Sequence, residues 1–121
     1  MALNLNLFVT PDDTVKFCKE NGLRLCFDIS HSKLACNEFK LSFDDFTRKV
    51  APITAHFHIS DASGVDGEGL QIGDGEIDFQ ALVNVLDSAC PQASFIPEIW
   101  QGHKDCGQGF WVALGKLERL F

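Results

Sequence analysis

The sequence has no C-x-x-C pair, and its five cysteines (Cys18, Cys26, Cys36, Cys90 and Cys106) are odd in number. Neither a disulfide framework nor a zinc ribbon is indicated, so the thiols read as reduced and mostly buried small hydrophobes. No apolar run approaches the roughly 20 residues that span a bilayer. Met1-Ala2-Leu3 lacks the basic start and small-residue cleavage site of a secretory leader. A cytoplasmic chain without membrane attachment is the expectation. Basic residues are also scarce, ten Lys and Arg against seventeen Asp and Glu, for a formal charge of −7. Phosphate-rich partners need a basic surface, so this balance argues against nucleic acid and favours a small neutral or metal-chelating ligand. "IGDGEIDF" (72–79) contains a G-x-G but no following Lys-Ser/Thr and no direct strand-to-helix junction. It reads as turn chemistry ahead of a helix and not as a phosphate loop.

What is present is core material. The 121 residues are 45% hydrophobic and include eleven Phe, enough for one small domain or a piece of one. Thr10 followed by Pro11-Asp12-Asp13 predicts a helix start, and the helix runs to Gly22. "LRLCFDI" (23–29) predicts a strand, and Ser42 a cap for the helix "FDDFTRKVA". "ITAHFHIS" (53–60) predicts the next strand, followed by a Gly- and Asp-rich loop over 61–76. Asp78 caps "FQALVNVLDSA", "SFIPEIW" (94–100) is a strand, and "GFWVALGKLERLF" (109–121) is a last amphipathic helix. With "LNLNLFV" (3–9), the count is three to four strands. Alternating strands and helices with long crossovers imply a parallel α/β sheet covered by helices, open or barrel-forming. An eight-stranded barrel takes roughly 250 residues, so this is about half of one, without an internal repeat or linker. One partial domain over 1–121 is the expected organisation.

Side chains alternate along a strand. Arg24, Cys26 and Asp28 share one face, as do His56, His58 and Ser60, and as do Ile96, Glu98 and Trp100. Each strand thus turns an ionisable residue to the same side near its C-terminal end, where parallel α/β folds build their sites. Taken singly, Asp28 reads equally as a cap for the following turn, and His58 as a hydrogen-bonded core histidine. Glu98 between Pro97 and Ile99 would be a costly unpaired carboxylate if buried. Taken together, Asp28, His58 and Glu98 suit mixed N/O coordination of Mn²⁺, Mg²⁺, Co²⁺ or Zn²⁺. His31 is expected in a loop just above this group, at the substrate or on the surface. His56 is expected one layer deeper in a packing role, Asp66 and Glu68 as solvated loop acids, and His103 in an exposed loop within reach of a pocket.

"FDISHSKL", "AHFHISDASG", "IGDGEIDF" and "FIPEIW" resemble the D-x-x-H, H-x-x-D, G-x-G-x-I-D-F and terminal-strand Glu motifs of the xylose-isomerase-like TIM barrels. The resemblance runs in motif order from about residue 10 to the end. It implies the C-terminal half of a (β/α)8 barrel and a metal-dependent isomerase or epimerase acting on a sugar or sugar phosphate. Asp28, His58 and Glu98 match three of four metal ligands, Glu98 also matches an acid/base residue, and His31 matches a substrate contact; Trp100, two residues past Glu98, is a further candidate substrate contact. The fourth ligand of the family, a Glu on the preceding strand, has no counterpart in "LNLNLFV". Either the chain begins after it or the ligand has been lost. The Arg that several ketose epimerases place after the strand histidine is also absent, Gly64 lying nearby. Endonuclease-IV-type hydrolysis of a phosphodiester is the second enzymatic reading. It is disfavoured by the acidic charge and by the lack of an Asp-x-His pair over 61–75. A non-catalytic half-barrel scaffold is the third. In every reading, unpaired strand edges predict self-association or a complementary half-barrel.

Overall fold

Three of the helix starts follow from local chemistry. In the computed structural model, which describes residues 10–121, Thr10 caps α1 (Pro11–Glu20) by accepting the Asp13 N–H. Ser42 caps α3 (Phe43–Val50) through the Asp45 N–H. Asp78 caps α4 (Phe79–Ala89) through the Ala81 N–H. Each side-chain oxygen satisfies a donor that the first helical turn leaves unpaired. The expected strand over "LNLNLFV" lies outside the described residues.

Three parallel strands form the central sheet: β1 (Leu25–Asp28), β2 (Thr54–Ile59) and β5 (Ser94–Pro97), in the order β1-β2-β5. This mixed α/β arrangement, with consecutive parallel strands as neighbours, is that of a partial TIM barrel. Phe27, Phe57 and Ile59 point from one face into the helices and are at most 2% exposed. Phe57 stacks on Phe95 at 5.4 Å between ring centroids, and Phe27 lies 6.1 Å from Phe46 of α3. The opposite face carries Cys26, Asp28, His56, His58, Ile96 and Glu98, all exposed or half-buried. This open face is mainly polar. The aromatic residues took the other phase of the strands and are covered by α3 and α4.

Three elements escaped the sequence reading. β1 ends at Asp28, and the segment read as its last residue and a loop is a helix, α2 (Ile29–Phe39). Its buried side holds Ser30, Ala35 and Cys36 beside Ile29 and Leu34. So many small and polar residues blur the 3.6-residue stripe that marks an amphipathic helix. The loop over 61–76 contains an antiparallel pair, β3 (Asp61–Ser63) and β4 (Gly67–Leu70). Strands this short and glycine-rich carry no alternating pattern. The last helix, α5 (Lys104–Leu117), is broken by positive φ at Asp105, Cys106 and Gly107 and becomes regular only beyond them. Among the described residues, no helix is long and apolar enough to cross a membrane.

Candidate metal centre

Strand register gathers the polar residues. Asp28 of β1 stands opposite His58 of β2, and His58 opposite Ile96 of β5. The pairing continues past β5, where the Glu98 N–H donates to the Ile59 carbonyl at 2.9 Å. Asp28, His58 and Glu98 therefore meet at the C-terminal end of the sheet, and one ligand atom from each lies within 4.8 Å of the others. His58 Nδ1 is 3.2 Å from Glu98 Oε2 and 3.8 Å from Asp28 Oδ2. Two N/O ligands of a single ion, each about 2.0–2.2 Å from it, sit roughly 3.0–3.5 Å apart. The first distance already fits, and the second needs a small carboxylate rotation. A nitrogen and two carboxylates form a donor set suited to a divalent cation.

Asp28 serves two roles at once. Its Oδ1 accepts the His31 N–H at 2.9 Å and caps α2, while Oδ2 faces His31 Nδ1 at 2.9 Å. Burial opposes ionisation of Asp28, but the His31 bonds and the nearby imidazoles outweigh it and hold the carboxyl below its ordinary range. His31, expected in a loop, is held in the first turn of α2. There it bridges Asp28 to Glu68 of β4, with Nε2 3.0 Å from Glu68 Oε2. The hydrogen bond to Asp28 raises the His31 pKa against the opposing effect of burial, and Glu68 adds to the rise, taking it to about 9.

A group whose pKa rises on folding stabilises the fold fully below its unfolded value and loses that contribution as the pH climbs through the folded value. For His31 the window runs from its ordinary 6.5 to about 9. In metal-free protein the His31 ring resonances should titrate near the upper end of this window. Glu68→Gln should shift the midpoint downward. A wild-type midpoint at the ordinary histidine value would contradict the bridge.

Glu98 departs from expectation. Its side chain is 54% exposed, since the sheet face it occupies is open, and the cost of a buried carboxylate does not apply to it. Oε2 faces His58, and Oε1 has no hydrogen-bond partner among the described residues. Trp100, 73% exposed, donates its backbone N–H to the Gly69 carbonyl at 2.8 Å. It lines a cleft of about 570 Å³ with Asp28, His31, Glu68, Glu98 and His103. Glu68 is thus a cleft residue and not a solvated loop acid, because the β3–β4 pair carries it back over α2. Asp61, the acid of the H-x-x-D motif, has a structural role: it is wholly buried, and its carboxylate accepts the N–H groups of Ala62, Gly73, Gly75 and Ile77, which ties 73–77 to β3.

His56 is half-buried on the same open face, with Nδ1 2.8 Å from Ser94 Oγ, and lies outside the Asp28 group. Burial pushes the nearby Cys26 thiol up, as do the Asp28 and Glu98 carboxylates.

The comparison with known families agrees with this architecture. No curated protein matches the chain. The model of the family described as xylose isomerase-like TIM barrel matches residues 2–112, a span that includes all three strands and every residue of the metal-capable group. The chain belongs to the xylose isomerase-like TIM barrel family.

Proposed function

We propose that this chain carries the C-terminal portion of a metal-dependent isomerase or epimerase acting on a sugar or sugar phosphate. The observation that supports it is the convergence of Asp28, His58 and Glu98 at the C-terminal strand ends, one ligand atom from each lying within 4.8 Å of the others. These three residues would hold a divalent ion, Mn²⁺, Mg²⁺, Co²⁺ or Zn²⁺, which would supply Lewis-acid polarisation of a carbonyl and its neighbouring hydroxyl.

Glu98 moves a proton at the carbon beside the carbonyl. Its Oε2 is turned to His58, which leaves Oε1 toward the cleft as the base. His31 steadies the Asp28 carboxylate through Nδ1, and its Nε2, which bonds Glu68, meets a substrate oxygen when the substrate displaces Glu68. The exposed indole of Trp100 covers an apolar sugar face. Proton transfer between adjacent carbons needs a second positioned group besides Glu98. A second copy or a complementary half-barrel supplies it, and also covers the outer sides of β1 and β5, which are unpaired among the described residues.

Mn²⁺ titration of the 121-residue chain, followed by electron paramagnetic resonance, tests the reading. Weak but saturable binding is expected, reduced at least about tenfold in Glu98→Gln, which removes a ligand. Deuterium uptake beside the carbonyl of a hydroxy-ketose should be slow for the chain alone. Absence of Mn²⁺ binding, or equal binding by the variant, would overturn the assignment.

A further inference from the structure

The open face of the sheet holds a second group of ligand-capable side chains, one layer below the first. Cys26, His56 and His58 each offer an atom within 4.8 Å of the other two. His58 connects the layers. Its Nδ1 faces Glu98 and Asp28, and its Nε2 lies 3.7 Å from Cys26 Sγ. The His56 ring packs edge-on against His58, with 5.5 Å between centroids.

We propose that Cys26, His56 and His58 form a second metal site, selective for a borderline-soft divalent ion of the Zn²⁺ class. Three observations support it. The first is spacing: a thiolate about 2.3 Å and an imidazole nitrogen about 2.0–2.1 Å from one tetrahedral ion lie roughly 3.6 Å apart. The Cys26 Sγ to His58 Nε2 distance is 3.7 Å.

The second is orientation. Ligating histidines usually have their other ring nitrogen fixed by a hydrogen bond, which sets the tautomer. Here both do: His56 Nδ1 bonds Ser94 Oγ at 2.8 Å, and His58 Nδ1 faces Glu98 Oε2 at 3.2 Å. Each ring is left with Nε2 for an ion, and because His58 Nδ1 then carries the proton, this site and the oxygen-rich one, which takes His58 Nδ1 as ligand, are occupied alternatively. The third is composition and access. One sulfur and two imidazoles favour Zn²⁺ over the Mg²⁺ or Mn²⁺ suited to an oxygen-rich set. Cys26 is exposed and both histidines half-buried, so an ion can enter and a water can complete the tetrahedron.

Co²⁺ titration of the full chain, read at the near-ultraviolet thiolate-to-cobalt charge-transfer band, tests the site. The band should appear in the wild type and vanish in Cys26→Ser and Cys26→Ala. In His56→Gln the apparent Co²⁺ affinity should fall by about tenfold or more. Cys106→Ser should keep the band, because the other exposed thiol is no part of the group. Glu98→Gln should keep it as well, which separates this site from the oxygen-rich one: a wild type that shows the band but binds no Mn²⁺ would defeat the proposed function alone. A wild type without the band would reduce the Cys26–His58 contact to a hydrogen bond and overturn the proposal. A band unchanged in His56→Gln would do the same, by making Cys26 a single-thiolate adduct.

Discussion

Asp61→Asn is expected to destabilise the fold by about 3–5 kcal/mol, near the upper end of single-substitution effects. Asp61 is wholly buried, and four backbone donors converge on its carboxylate. Ala62 and Ile77 donate to Oδ1 at 2.8 and 3.1 Å, and Gly73 and Gly75 to Oδ2 at 3.0 and 2.9 Å. An asparagine keeps one acceptor oxygen and puts an NH2 against the remaining donors, so two N–H groups lose their partner and meet another donor. Each orphaned donor costs about 1–3 kcal/mol, and the charge-assisted character of the other two bonds is lost as well. The fit is tight as well: at Gly75 even a Cβ would collide with the Asp61 carboxylate and the Ala62 carbonyl. Calorimetry should register a fall in Tm of roughly 10–20 °C. Amide exchange should show protection lost first at Gly73, Gly75 and Ile77. A Tm within a few degrees of wild type would mean that water can replace the carboxylate.

His58→Ala is expected to abolish ion binding with little loss of stability. His58 belongs to both metal-capable groups of the open face, so one truncation removes the only nitrogen of the oxygen-rich set and one of two in the sulfur-containing set. Losing the bond that merely orients a ligand costs about 10–100-fold in affinity. Removal of the ligand itself should cost at least the upper end of that range for Mn²⁺. Asp28→Asn is a less discriminating probe, because Asp28 also caps α2 and its replacement disturbs the helix. His58 has no capping or core role, and its side chain is 31% exposed. Mn²⁺ titration beside a thermal melt separates the two effects. Unchanged Mn²⁺ affinity in a folded His58→Ala protein would remove His58 from the ion's ligands.

Local features of the sequence translated directly into structure. Thr10, Ser42 and Asp78 each cap the helix predicted from them, because a cap is a contact across three residues and needs nothing distant. The alternation in "LCFD" and "AHFHI" placed Phe27 and Phe57 on one side of the sheet and Asp28 and His58 on the other, since strand geometry forces that phase. α2 was illegible for the converse reason. Its buried side includes Ser30, whose hydroxyl is satisfied by the Asp61 carbonyl and the Gly69 N–H. Both partners come from a hairpin that the sequence did not announce.

For the candidate site the division is similar. Residue type and strand phase were sufficient to name Asp28, His58 and Glu98, and the order of the motifs to suggest the family. Whether the three side chains meet depended on parallel register between strands separated by 25 or more residues of intervening chain, a long-range choice made by packing the Phe face under α3 and α4. Tertiary structure alone decided that Glu98 is exposed, that Glu68 reaches His31, that Asp61 ties down 73–77, and that Cys26 and His56 lie beneath His58. Each of these is a contact between segments far apart in the chain, and no residue's identity or spacing encodes such a contact until the elements are packed.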